Sequence, residues 1–268
     1  MTDLLRKALG KVCIVLCLAT ALSLSAGYAA RADVGGARMA GLLERRNRAH
    51  PRIPVLMYHE FGDAGSDLYV RKGDFVAQLK YLREKGYRTL TLEEMYDILH
   101  GRSDPGERDI VLTFDDGYLS HYEFVYPLLK EYGMKGAFFI IPGYIGAKGY
   151  LTWQQVIAMA RDGMDIGAHS YTHPDLRSIR SMSRMTRETL GAREDIERRI
   201  SMPVRFYCYP GGRYDGRLPG LLAKHGYLAA FGVSPGWASR NDGMYSLKRV
   251  RISRGDTLEG FARKIRGE

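Results

Sequence analysis

The stretch that decides the fold is Ile110-Val-Leu-Thr-Phe-Asp-Asp-Gly117. Its first half is a short apolar run, which is typical of a strand buried on both faces. The run ends in two adjacent carboxylates, Asp115 and Asp116, and Gly117 then lets the backbone turn sharply. Two carboxylates at the end of a buried strand are unfavourable unless a cation or a proton compensates them. The stretch therefore predicts a polar site at a strand end, with an ordinary acidic turn as the alternative.

Predicted strands and helices alternate outward from this stretch. The predicted strands cover residues 53–58, 87–90, 110–114, 136–141, 164–168, 204–208, 227–233 and 245–252. The predicted helices cover residues 74–85, 92–100, 119–131, 153–161, 184–200, 218–225 and 258–265. This alternation indicates a mostly parallel sheet with helices outside it. The chain length favours a distorted or incomplete (β/α) barrel with seven or eight parallel strands, and an open doubly wound sheet is the alternative.

Polar residues follow several predicted strands at the point where each strand ends. His59 follows the first strand, Asp115 and Asp116 follow the third, and His169 follows the fifth. Because the carboxyl ends of parallel barrel strands share one face, we expect these side chains to converge on one site.

A pair of histidines four residues apart occurs in His169-Ser-Tyr-Thr-His173-Pro174. On one turn of helix or in a tight loop, this spacing points both rings in the same direction. Two imidazoles and one carboxylate suit a catalytic divalent metal, because three protein ligands leave coordination positions open. A lone pair of this kind is more often a surface or core feature, but the strand-end carboxylates favour a metal site.

The motifs T-F-D-D-G at residues 113–117 and H-S-Y-T-H-P at residues 169–174 together resemble the first two motifs of the polysaccharide deacetylases. Members of this family are metal-dependent carbohydrate esterases that remove N-acetyl groups from sugar polymers. The resemblance extends from about Pro54 to about Ile252.

The resemblance implies a role for each residue of the two motifs. Asp116, His169 and His173 would bind a divalent metal, usually Zn²⁺, and Asp115 would be the general base. Elementary chemistry agrees, because a bound divalent ion brings the pKa of its water towards roughly 7 and a free carboxylate beside it can take the proton.

Two departures from the family pattern concern the later motifs. In the run Phe206-Tyr-Cys-Tyr-Pro-Gly-Gly-Arg213, Cys208 stands where the family commonly has an Arg that orients the base, and Gly211 stands where it has a Tyr. Gly211 can still offer its backbone N–H to an oxyanion. The residue that orients Asp115 is left open. At the place of the family's last-motif His stands Arg249, which is too basic to donate a proton near neutral pH.

The run Pro54-Val-Leu-Met-Tyr-His59-Glu60 resembles a branch of the family that includes poly-N-acetylglucosamine deacetylases, in which a first-strand His acts as general acid. We therefore predict that His59 is the general acid, with a structural His as the alternative. Tyr209 and Trp237 are predicted to stack on a sugar ring, and packing in the core is the alternative for each. His121 is interpreted as structural.

The amino-terminal residues resemble an export signal. Arg6, Lys7 and Lys11 form a basic start, an apolar run covers residues 12–26, and small residues follow. This pattern predicts a signal peptide over residues 1–32, a linker over residues 33–52 and a catalytic domain over residues 53–268. We expect a secreted or periplasmic protein, with an uncleaved membrane anchor as the alternative.

Composition limits the partners. The chain of 268 residues is 45% hydrophobic and 26% charged, which fits one globular domain. Its net charge of +10 suits contact with an anionic envelope polymer or a membrane surface. The export signal and the lack of a binding motif argue against nucleic acid. Cys208 is the only cysteine after the signal run, so we expect no internal disulfide, and we expect a monomer.

These patterns together predict a metal-dependent hydrolase that removes N-acetyl groups from an N-acetylglucosamine-containing polysaccharide and releases acetate. A carbohydrate O-acetyl esterase and an inactive carbohydrate-binding relative are the alternatives, because a fold does not determine a function. The sequence leaves open which polysaccharide is the substrate.

Overall fold

The computed structural model describes residues 51–268. The predicted signal peptide and nearly all of the predicted linker lie outside these residues. Within residues 51–268, no helix is both long and apolar enough to cross a membrane.

Seven parallel strands close into a barrel. The strands of the described residues are β1 (Arg52–Ile53), β2 (Val55–Tyr58), β3 (Glu60–Phe61), β4 (Tyr69–Val70), β5 (Arg88–Thr89), β6 (Asp109–Asp116), β7 (Ala137–Ile140), β8 (Asp165–Ala168), β9 (Phe206–Cys208), β10 (Ala229–Pro235), β11 (Ala238–Ser239) and β12 (Leu247–Arg251). Around the barrel, neighbouring strands follow the order β2-β12-β10-β9-β8-β7-β6, and β6 pairs with β2 to complete the ring. The register of the closing pair runs from Val55 opposite Val111 to Tyr58 opposite Phe114. The short β5 adds an eighth strand beside the start of β6. The predicted barrel is confirmed, and the open sheet is excluded.

Helices follow most of the barrel strands. They are α1 (Lys72–Glu84), α2 (Leu92–Leu99), α3 (Tyr126–Tyr132), α4 (Trp153–Arg161), α5 (Met182–Thr186), α6 (Ala192–Ile200), α7 (Leu218–Lys224) and α8 (Leu258–Arg266). The side chains of Thr91 and Thr152 cap α2 and α4 in complete capping boxes, each closed by the residue three positions later. The predicted helices 119–131 and 184–200 are each interrupted by a π turn, at His121–Val125 and Arg187–Gly191. Such turns are frequent at functional sites.

Side chains on the barrel strands alternate between an inner and an outer apolar cluster, as the two-residue period of a strand requires. The inner cluster contains Val55, Val111 and Phe139, together with residues of α2 such as Met95. The outer cluster packs the other faces of the same strands against the helices. On β6 the inner face continues from Val111 through Thr113 to Asp115. A carboxylate is therefore placed at the inner rim of the barrel, where the strands end.

Candidate metal centre

Three predicted ligands converge at the carboxyl ends of the barrel strands. Asp116 is the last residue of β6, and His169 and His173 follow β8. Oδ1 of Asp116 lies 3.3 Å from Nε2 of His169 and 3.5 Å from Nε2 of His173. A tetrahedral cation with bonds of about 2.0–2.1 Å places its ligand atoms about 3.3 Å apart. The nitrogen and oxygen donors present therefore fit a divalent metal such as Zn²⁺.

Hydrogen bonds hold both histidines in an orientation that suits metal binding. Nδ1 of His169 lies 2.7 Å from the carbonyl oxygen of Cys208, to which it donates, so the lone pair of Nε2 faces Asp116. The backbone N–H of His173 donates to Oγ of Ser170 (2.9 Å). The buried carboxylate of Glu188 accepts the N–H groups of Tyr171 and Thr172 at 2.9 and 2.8 Å. These hydrogen bonds therefore fix the turn that carries the rings of His169 and His173.

The backbone is strained at the same place. Asp116, Ser170 and His173 have φ values of +79°, +60° and +57°, in the left-handed region that residues with a side chain rarely adopt. Gly117 also adopts φ +74°, which allows the turn after Asp116. Such conformations cost about 1–3 kcal/mol each and cluster at functional sites, so the ligand positions depend on the surrounding hydrogen bonds.

Asp115, the predicted general base, is bound by the fully buried Arg249, a pairing that the sequence did not predict. Nη1 and Nη2 of Arg249 donate to its two carboxylate oxygens at 2.8 and 2.6 Å. Arg249 also donates to Oγ1 of Thr113 and the carbonyl oxygen of Gly232. Burial by itself would raise the pKa of Asp115, but the charge and hydrogen bonds of Arg249 more than offset it and hold that pKa below its usual range. The carboxylate is therefore ionised and oriented.

Arg249 supplies the orienting arginine that the third motif lacks. Cys208 lies against the same pair, with its Sγ 3.1 Å from Nη2 of Arg249 and 3.5 Å from Oδ2 of Asp115. Arg205 and Arg213, the other arginines close to Cys208 in the sequence, pair with Glu93 and Asp175 and not with Asp115. The alternation of Leu247 and Arg249 along β12 was the one sequence signal that could have placed Arg249 on the inner face.

His59 lies beside Asp115, and the ring of His121 contacts the backbone of His59. Nε2 of His59 is 3.9 Å from Oδ2 of Asp115. Burial lowers the pKa of His59. The negative charges of Asp115 and Asp116 act to raise that pKa, but burial is the larger effect. Nε2 of His121 lies 2.6 Å from the carbonyl oxygen of His59, and burial lowers the pKa of His121 to about 4. His121 is therefore neutral near pH 7 and donates from Nε2, which fixes the backbone that carries His59. Its Nδ1 contacts no polar group within residues 51–268.

The remaining predicted site residues differ in position. Gly211 lies in a turn directly after β9, with φ +56°. Tyr209 is fully buried, donates its hydroxyl to the carbonyl oxygen of Tyr245 (3.0 Å) and stacks on Tyr214. This position favours core packing over sugar stacking for Tyr209.

The structure does not bring Trp237 to the predicted metal ligands, which corrects the stacking role predicted for it. Its Nε1 donates to the carbonyl oxygen of Lys264 (3.4 Å), and its ring lines a cavity with Pro54 and Asp109 at the amino-terminal ends of β2 and β6. The physical reason is that the chain turns back after β10 and pairs Ala238 antiparallel to Ile53. This pairing directs Trp237 towards the end of the barrel opposite Asp115.

Comparisons with known proteins agree with this geometry. The sequence profile described as Polysaccharide deacetylase matches residues 102–230. The putative polysaccharide deacetylase YxkH of Bacillus subtilis is 36% identical over 214 residues, which cover 80% of this chain and 76% of YxkH. The poly-beta-1,6-N-acetyl-D-glucosamine N-deacetylase of Escherichia coli K12 is 22% identical over 269 residues, which cover 84% of this chain and 40% of that enzyme.

Among solved structures, the Streptococcus pyogenes deacetylase PplD in complex with acetate superposes with a TM-score of 0.77 at 29% identity. That superposition covers 81% of this chain and 99% of PplD. With the matched profile and the identity to YxkH, it shows that this chain belongs to the polysaccharide deacetylase family.

Proposed function

We propose that this protein is a metal-dependent N-deacetylase that removes N-acetyl groups from an N-acetylglucosamine-containing polysaccharide and releases acetate. The observation that carries the proposal is the ionised Asp115, oriented by Arg249, next to the ligand set of Asp116, His169 and His173. The name of the E. coli relative, an N-deacetylase of poly-N-acetylglucosamine, supports the choice of substrate.

A divalent cation held by Asp116, His169 and His173, with Zn²⁺ as the proposed metal, would polarise the acetyl carbonyl and acidify a water molecule. Asp115 takes the proton of the attacking water, because its carboxylate is ionised and already oriented. The backbone N–H of Gly211 donates to the oxyanion that develops on the acetyl group.

His59 gives a proton to the leaving amine in this proposal. Its position beside Asp115 allows it to reach the same substrate group as the base. The lowered pKa of His59 makes its protonated form a stronger acid than an exposed imidazolium, and it also leaves a smaller fraction of the protein protonated near neutral pH. His121 does not contact the substrate and acts only through the backbone of His59.

Acetate release distinguishes this function from the alternatives. We expect the protein to release acetate from N-acetylglucosamine oligomers, to lose this activity after treatment with a chelator and to regain it with Zn²⁺. Hydrolysis of p-nitrophenyl acetate without hydrolysis of the oligomers would favour an O-acetyl esterase. Binding of the oligomers without any acetate release would favour an inactive carbohydrate-binding relative. The variant Asp116→Ala serves as the control, since it should bind no metal.

The proposed export also has a direct test. We propose that residues 1–32 are a cleaved signal peptide, that a linker follows from residue 33 up to β1 at Arg52, one residue short of its predicted end, and that the monomeric catalytic domain acts outside the cytoplasm. Amino-terminal sequencing of the exported protein should find a start near residue 33. An intact amino terminus in the membrane fraction would favour the uncleaved anchor.

A further inference from the structure

Three partly exposed tyrosine rings lie side by side next to the metal-binding side chains. Tyr118 comes two residues after Asp116, and its ring stacks on Tyr150 with centroids 5.4 Å apart and planes inclined by 23°. Tyr150 also makes a T-shaped contact with Tyr144, with centroids 5.1 Å apart and planes inclined by 64°. We call these three residues the tyrosine wall. The proposed chemistry gives none of them a role.

The wall is fixed to both segments that carry the metal ligands. The loop between β7 and α4 contributes Tyr144 and Tyr150. The N–H of Leu119 donates to the carbonyl oxygen of Gly149 in this loop (2.8 Å). The N–H of Leu151, at the end of the loop, donates to the carbonyl oxygen of Gly117 (2.9 Å). These bonds join the loop to the turn after Asp116.

The start of the same loop is joined to the histidine turn. The N–H of Gly143 donates to the carbonyl oxygen of Tyr171, at 2.9 Å, between His169 and His173. A Cβ on Gly143 would lie only 2.6 Å from that oxygen, so only glycine allows this approach. The distance between the tyrosine wall and the metal-binding side chains is therefore set by backbone contacts rather than by flexible side chains.

Polar groups border the wall on the side of the site. Burial, followed by the charge of Asp116, raises the pKa of Tyr150, and the charge of Glu60 contributes to the same shift. The phenol of Tyr150 therefore stays neutral beside these carboxylates. Glu60 is itself partly exposed, and its Oε1 accepts from Oγ of Ser120 and from the N–H of Phe61. An aromatic face with hydroxyl and carboxylate groups at its edge suits a pyranose, which has apolar C–H faces and a rim of hydroxyl groups.

We propose that the tyrosine wall is a sugar-binding subsite, in which the exposed part of the Tyr150 ring packs against the pyranose next to the one that is deacetylated. The inference rests on the proposed function and extends it, because it assigns the residues that bind the sugar next to the reacting one. Tyr150 is the ring of the wall that contacts both of the others, and Tyr118 joins the subsite to Asp116.

The test compares two variants at Tyr150 on substrates of different length. Tyr150→Ala should raise KM for N-acetylglucosamine oligomers about tenfold, which corresponds to the loss of one aromatic contact. The change in KM for N-acetylglucosamine itself should be several times smaller, because a monosaccharide does not reach the subsite. Tyr150→Phe, which keeps the ring, should retain the wild-type KM for the oligomers.

Tyr122→Ala is the matched control, because Tyr122 also stacks on a neighbouring tyrosine but packs against the outer cluster. The proposal is overturned if Tyr150→Ala keeps the wild-type KM for oligomers, or if both substrates are affected equally. If the wild-type protein releases no acetate, the proposed function fails and the subsite is tested by calorimetric binding of the oligomers. An unchanged Kd in Tyr150→Ala would then overturn the subsite as well.

Discussion

The guanidinium of Arg249 binds the carboxylate of Asp115 through two hydrogen bonds, although 134 positions separate the residues along the chain. Both side chains are almost completely buried. Breaking a buried pair by removing one partner typically costs about 3–5 kcal/mol, because the other charge is left uncompensated. The pair therefore contributes to the fold as well as to the orientation of the proposed base.

Replacing Arg249 should affect both the stability of the fold and the orientation of Asp115. In Arg249→Met, we expect a loss of about 3–5 kcal/mol in the free energy of unfolding. Burial without the guanidinium raises the pKa of Asp115, so the acid limb of the pH profile of acetate release should move to higher pH. Urea unfolding and rate measurements across pH test the two effects. Arg205→Met removes a surface pair with Glu93 and is the control. An unchanged pH profile would contradict the orienting role.

The contact between Cys208 and Arg249 suggests an exchange of residues. Cys208→Arg alone should destabilise the protein, because it buries a second guanidinium beside Arg249. Cys208→Arg combined with Arg249→His keeps one arginine near Asp115, so it should be more stable and more active than either single variant. Thermal unfolding and acetate release measure this coupling. Additive losses in the double variant would show that the two positions do not substitute for each other.

His59 should be required for turnover but not for metal binding. In His59→Ala, we expect the metal content of the wild-type protein and a rate of acetate release lowered by about 10²–10⁴. His100→Ala is a suitable control, since that histidine contacts a backbone carbonyl at the end of α2. Metal analysis and steady-state kinetics check the prediction. Wild-type activity in His59→Ala would remove the general-acid assignment.

The close approach of Gly143 to Tyr171 makes this glycine sensitive to substitution. Gly143→Ala should lower the free energy of unfolding by about 1–3 kcal/mol, because the added methyl group forces the loop away from the histidine turn. Gly73→Ala is the control, since it adds a methyl group with open space around it in α1 and should be neutral or slightly stabilising. Equal stabilities for the two variants, measured by chemical denaturation, would show that the loop moves freely.

Asp165 is the first residue of β8, at the end of the barrel away from Asp115, and it should make the stability of the protein depend on pH. Burial raises the pKa of Asp165 to about 6, although the N–H of Leu92 donates to its carboxylate. The folded state therefore holds this proton more tightly than the unfolded state, and stability is lost as pH rises from about 4 to about 6. Asp165→Asn should match the wild-type protein near pH 4 and exceed its stability by about 1–3 kcal/mol above pH 7. A constant difference across pH would refute the shifted pKa.

Local patterns in the sequence predicted much of the site. The strand ending in Asp115 and Asp116 and the spacing of His169 and His173 were recognisable, because each depends on residues close together in the chain. The eight predicted strands all occur in the main sheet. Long-range contacts were harder to anticipate. The π turn at His121–Val125 brings His121 against the backbone of His59. It interrupts the helix of residues 119–131, which the apolar pattern of the sequence predicts as continuous.

The sequence by itself determined the alternating elements, the strand-end carboxylates and the histidine spacing, because strand and helix periods and turn preferences act over a few residues. Only the tertiary structure decided that Arg249 reaches Asp115, that Trp237 faces the other end of the barrel and that the tyrosine wall borders the predicted metal ligands. These positions depend on the closure of the barrel between β2 and β6 and on how each loop returns from it. Such contacts join residues far apart in the chain, so no local pattern specifies them.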